Sequence, residues 1–195
     1  MGFGLIFLGL ITLLLYRLLP VELLGFIAVY KGLNKLSQYG KDFAIAKSSS
    51  VILLIFSVAD AFFWLCKMTD GINIPSVVFT VSEYIHAALI VVFFILLSNA
   101  LFSIANDCGY EKGMKRAMLG KVLSAIYIVS VIVCGIFPVL SFLSMLLSLI
   151  LYVFYPFTVY GFYMMIVTDS ILEKERIAIE AFDKRFGKNK NKKKK

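Results

Sequence analysis

A chain of 195 residues that is 61% hydrophobic and 16% charged, with a mean hydropathy of +0.90, is too apolar for an ordinary soluble domain. Its net charge of +8 at pH 7 places it among proteins whose basic segments meet anionic surfaces. The apolar runs are continuous and do not alternate with polar residues, which excludes a β-barrel and predicts an all-α, polytopic transmembrane helical bundle of five or six spans with an amphipathic C-terminal helix.

The first apolar run, Gly2 to Leu19, has no basic residue ahead of it and no small-residue cleavage site behind it, so a cleaved signal peptide is not expected. A second run, Val21 to about Leu33, follows at once. As one straight helix, Gly2 to Tyr30 would measure about 43 Å against a hydrocarbon core of about 30 Å, and it would hold Arg17 or Glu22 at depth. A hairpin turned near Leu19 and Pro20 is therefore preferred, since proline suits a helix start. Its second limb is short enough to be re-entrant. One single helix here would give five spans; a hairpin gives six.

Lys31, Lys35, Lys41 and Lys47 make the next connection basic, hence cytoplasmic by the positive-inside rule. Val51 to Cys66 reads as a span interrupted by Ser57 and Asp60. A neutral connection with Gly71 and Pro75 leads into Pro75 to Phe102, which carries a polar island of Ser82, Glu83 and His86. The segment Asp107 to Arg116 is again net basic and inside. Met118 to Pro138 crosses outward, and Phe142 to Thr168 returns, with Pro156 near its middle, where a kink is expected. Residues 1–168 are thus the bundle. Residues 169–187 read as a cytoplasmic amphipathic helix, with Ile171, Ala178, Ile179, Phe182 and Phe186 on one face and a stop at Gly187.

Residues 188–195 form a disordered polybasic tail. Lys188, Lys190, Lys192, Lys193, Lys194 and Lys195 suit anionic lipid headgroups at about 1 kcal/mol each. No aromatic or arginine platform interleaves them, so nucleic acid is not the expected partner. The layout and composition resemble those of small bacterial multi-pass proteins of the plasma membrane, with the C-terminus cytoplasmic.

Ionisable side chains inside spans are costly and mark ion paths, relays or interhelical contacts. Asp60, Glu83, His86, Arg17 and Glu22 all fall towards one end of the bundle under this topology. They form a candidate intramembrane polar site for a proton or cation, or, in the plainer reading, contacts that fix helix register. Glu83 and His86, three residues apart, should share a helix face.

No metal centre or cofactor is expected: His86 is the only histidine, and Glu83 to His86 is half of a Glu-x-x-His pair with no second copy. Lys121 and Ser124 could pair as base and nucleophile, but Lys121 more simply snorkels to the interface. Cys66, Cys108 and Cys134 lack ligand spacing and read as buried free thiols. The aromatic cluster from Tyr152 to Tyr163 suits packing or a belt at the interface. With no catalytic motif, the chain reads as a small non-enzymatic membrane subunit or scaffold, working with a membrane-protein partner or as a homo-oligomer. A small transporter or channel for a proton, cation or small solute is the alternative.

Overall fold

The computed structural model describes residues 2–14, 22–68 and 75–190. Among them are six α-helices and one short 3-10 turn, with no strand. The helices are α1 (Gly2–Leu14), α2 (Glu22–Leu36), α3 (Lys41–Met68), α4 (Ser76–Asp107), α5 (Glu111–Ile136) and α6 (Ser141–Lys190), and the 3-10 turn Pro138–Leu140 joins the last two. The chain divides into two compact units, 1–160 and 161–195. The first holds α1 to α5 and the beginning of α6; the second includes the rest of α6.

Four helical stretches are long and apolar enough to cross a membrane: Lys41–Phe63, Val77–Asp107, Glu111–Ile136 and Pro138–Met165. The all-helical membrane bundle expected from composition is therefore present, but the count of five or six spans is not. The first hairpin accounts for the difference. Its limbs, α1 and α2, have 13 and 15 residues, roughly 20 Å and 22 Å of helix against a core of about 30 Å. Over the described residues neither limb is a full span.

What the hairpin lacks in length it makes up in closeness. Gly9 lies against Gly25 and Gly2 against Gly32, and a Cβ on Gly9 would sit 2.6 Å from the Gly25 carbonyl oxygen, while one on Gly32 would sit 2.7 Å from that of Gly2. Two glycines seven residues apart on each limb bring two backbones into contact, the small-residue packing that holds helices together where burial of apolar surface is no driving force. Phe3, Ile6, Leu10 and Leu13 of α1 and Phe26, Val29, Leu33 and Leu36 of α2 are buried. Leu36 and Phe3 lie near the beginning of α3, where Phe3 meets Phe43 edge-on with ring centroids 6.0 Å apart.

From there α2 packs on α3, α3 on α4 and α4 on α5. Lys47 donates to Asn34 Oδ1 at 3.0 Å between α3 and α2. Phe63 contacts Phe79 across α3 and α4, and Ser98 of α4 sits over Gly120 of α5. Gly109, with φ 66°, turns α4 towards α5 in a region where side chains are strained. Pro156 lies inside α6. That helix runs on through Gly187 to Lys190, so Gly187 is not its stop; a glycine inside a helix costs only about 1 kcal/mol relative to alanine, and without a left-handed cap it does not end one.

Between α4, α5 and α6 the contact is made by a buried hydroxyl network. Tyr155 donates to the Phe94 carbonyl at 2.9 Å, and its hydroxyl lies 2.7 Å from Ser98 Oγ and 3.1 Å from Ser124 Oγ. The Tyr155 ring stacks on Phe94 with centroids 4.0 Å apart and an interplanar angle of 10°. Ser124 also donates to Gly120 O, so its hydroxyl is committed to the backbone, and Lys121 points away with Nζ 5.1 Å above the Phe102 ring. The Lys121 and Ser124 pair considered from sequence is not formed. Of the cysteines, all free, Cys66 is buried as expected, whereas Cys108 is exposed and Cys134 is half-buried with Sγ 3.0 Å from Leu140 O.

Candidate intramembrane cation site

The short hairpin determines where the polar groups meet. Glu22, the first described residue of α2, comes level with the interior of α3 and α4 and not with their ends. Asp60 is eight residues short of the end of α3 and His86 ten residues into α4, so the cluster lies roughly 12–15 Å inside that end of the helix pair.

There Glu22, Asp60 and His86 converge from three helices. His86 Nε2 is 2.6 Å from Glu22 Oε1, and His86 Nδ1 is 3.3 Å from Asp60 Oδ2. The three side chains are 5%, 20% and 10% exposed for Glu22, Asp60 and His86 respectively, which makes this a desolvated ionic cluster and not a surface pair. The Glu22 contact is short, and Oε1 is buried. The other carboxylate is better held: Ser82 Oγ donates to Asp60 Oδ1 at 2.9 Å, leaving Oδ2 towards the imidazole. Phe56, one turn before Asp60 on α3, closes the apolar side, its ring centroid 5.6 Å from that of His86.

Three of the five residues expected at a polar site are therefore together. Glu83 is not with them. Residues four apart on a helix are offset by about 40° and residues three apart by about 60° in the opposite sense, so Ser82 shares the face of His86 turned to α3, while Glu83 is exposed and faces the other way. Arg17 lies outside the described residues. So do the tail lysines Lys192, Lys193, Lys194 and Lys195, as do the side chains of Lys188 and Lys190.

Glu83 instead lines a cleft of about 680 Å³ formed where α4, α5 and α6 part near the end of α1. Thr80, Tyr84, Tyr127, Ser144 and Tyr152 contribute hydroxyls to its wall, and His86 lies on it as well. His86 thus has one side on the buried carboxylates and another on a polar, open cleft. Sequence reading did not find this cleft, because it depends on how far α6 stands from α4, which no local pattern encodes. The hydroxyls facing it are spread over 73 positions, from Thr80 to Tyr152, and only their convergence makes a wall.

Compared with known proteins, the chain matches no family model, no curated protein and no solved structure.

Proposed function

We propose that this is an integral membrane protein that takes up and moves a small cation, proton or metal ion, through the cleft to the Glu22–His86–Asp60 cluster. The observation that carries the reading is the convergence of three ionisable side chains from three helices on one buried point that also borders a polar cleft. Inside a bilayer such groups are expensive and are retained along ion and proton paths. Non-spanning hairpins at membrane depth are tolerated where they are buried in protein or line an aqueous cavity, and α1 and α2 fit that description with Glu22 at the inner end.

In this reading the basic connections at Lys31 to Lys47 and at Lys112 to Arg116 face the cytoplasm, and the tail lysines lie against the anionic leaflet on the same side. The cleft then opens towards the opposite face. The protein in proteoliposomes should support cation flux that falls at least about tenfold in His86→Gln and in Asp60→Asn, and stays in Phe157→Leu, whose side chain is 68% exposed. Equal flux in all four proteins would refute the proposal.

A subunit or scaffold is the second reading, supported by the apolar row Met118, Val122, Ile126, Val129, Ile132 and Ile136, exposed along one side of α5. Lipid covers such a row as well as a partner does. A stoichiometric membrane protein retained through mild-detergent purification, together with absence of flux in liposomes, would favour it.

A further inference from the structure

We infer that Glu22, Asp60 and His86 bind one divalent first-row metal ion; the inference rests on the cation reading above and names the class of ion. One donor atom from each residue lies within 4.8 Å of the other two. Bonds of about 2.0–2.2 Å to nitrogen and oxygen place the donors of a single ion roughly 3–4 Å apart; Glu22, now 2.6 Å from Nε2, must draw back and Asp60, now beside Nδ1, must swing towards the same ring nitrogen, so that the ion replaces the direct contact between His86 and Glu22.

Charge points the same way. Two carboxyl groups outnumber the one imidazole, and among the described residues no lysine or arginine pairs with Glu22 or Asp60. An anionic cluster buried among apolar helices is costly until a cation joins it. Glu22 Oε1 is buried and its one close polar neighbour is His86 Nε2, so an ion bound there would take over that contact. The Ser82 hydroxyl on Asp60 Oδ1 orients the second carboxylate as the outer partners of metal ligands do. Three protein ligands leave coordination positions open, and His86 borders the cleft through which water and ion would reach them.

The donor set chooses the ion. All-oxygen sites suit magnesium and calcium and thiolates suit copper(I), whereas one imidazole with two carboxylates suits Mn²⁺, Fe²⁺ or Zn²⁺. The absence of a second histidine, which argues against a di-iron centre, does not argue against this mononuclear site, because its remaining ligands are carboxylates from other helices.

The test uses the full chain, purified without a polyhistidine tag, in nanodiscs with Mn²⁺ alone. His86 is the only histidine in the chain, so imidazole nitrogen coupling in the Mn²⁺ electron spin resonance signal can arise only there. One saturable equivalent with that coupling is the expected result. Glu22→Gln and Asp60→Asn should weaken binding at least about tenfold, and His86→Gln should abolish the nitrogen coupling. Wild-type protein of intact helical circular dichroism that takes up no saturable Mn²⁺, or takes it up without nitrogen coupling, would overturn the inference. The two claims separate cleanly: His86-dependent proton flux without Mn²⁺ binding would overturn the metal site and keep the cation reading. Mn²⁺ bound at His86 with no flux of any cation would keep the site and remove the transport reading.

Discussion

The α1–α2 contact and the α4–α6 contact are opposite solutions to packing helices in lipid. In the first, glycines at 2, 9, 25 and 32 let backbone lie on backbone, and the pair is sealed by buried aliphatic side chains. In the second, two helices meet through large rings, Tyr155 flat on Phe94 and Tyr152 edge-on to it at 5.8 Å, with hydroxyl bonds where the rings end. Dense packing fixes a side chain's position to within a fraction of an ångström, which is what Glu22 requires to reach His86. Ring-mediated packing holds helices apart on either side of the contact, and the cleft beside His86 is the space that results. The two regions supply the two halves of the candidate site.

The largest effect should come from breaking the dense region. Gly9→Val places a branched side chain where even a Cβ would lie 2.6 Å from a carbonyl oxygen and 2.7 Å from Val29 Cγ2. Backbone cannot give way as a flexible side chain can, so at least the about 1–3 kcal/mol typical of overpacking is expected. Thermal unfolding in detergent should show a clear drop in midpoint, and Mn²⁺ binding should go with it, because Glu22 begins the displaced helix.

In the ring-packed region the expected loss is smaller. Tyr155→Phe keeps the stack on Phe94 and removes only the hydroxyl that joins Phe94 O and Ser98 Oγ, and that lies 3.1 Å from Ser124 Oγ. Hydrogen bonds between membrane helices average about 0.6 kcal/mol and reach about 1.7. A loss of about 1–2 kcal/mol in the same unfolding assay, with Mn²⁺ affinity retained, would sharpen the contrast. A loss equal to that of Gly9→Val would erase it.

Much of the bundle was legible because continuous apolar runs bounded by lysines leave few alternatives: α3, α4, α5 and the start of α6 lie where the runs do. The count of spans was not, because hydropathy does not register that Gly2–Leu14 and Glu22–Leu36 are too short to cross, nor that their glycines fall opposite one another. Asp60, His86 and Glu22 were recognisable individually, since ionisable residues are rare in such runs. Their convergence on one end followed from the alternation of inside and outside connections. What the spacing missed was the sense of rotation: Glu83 was placed with His86 by the rule of three, while Ser82, four residues away, is the one that reaches Asp60.

Glu83 therefore gives the finest test of the division between cluster and cleft, and the smallest effect. It is exposed, forms no ion pair among the described residues, and lines the cleft. Glu83→Gln should leave unfolding within about 0.5 kcal/mol of the wild type, as for a surface substitution. Mn²⁺ affinity at equilibrium should also stay, because none of the three donors changes. What the substitution does remove is a negative charge on the wall of the cleft, where such charge raises local cation concentration and entry rate. Flux should fall by no more than about tenfold, most at low ionic strength, and the deficit should shrink as salt screens the wall. A large loss of Mn²⁺ affinity would instead make Glu83 a ligand, and the boundary between the buried cluster and the cleft would then have to be drawn one helical face further round α4.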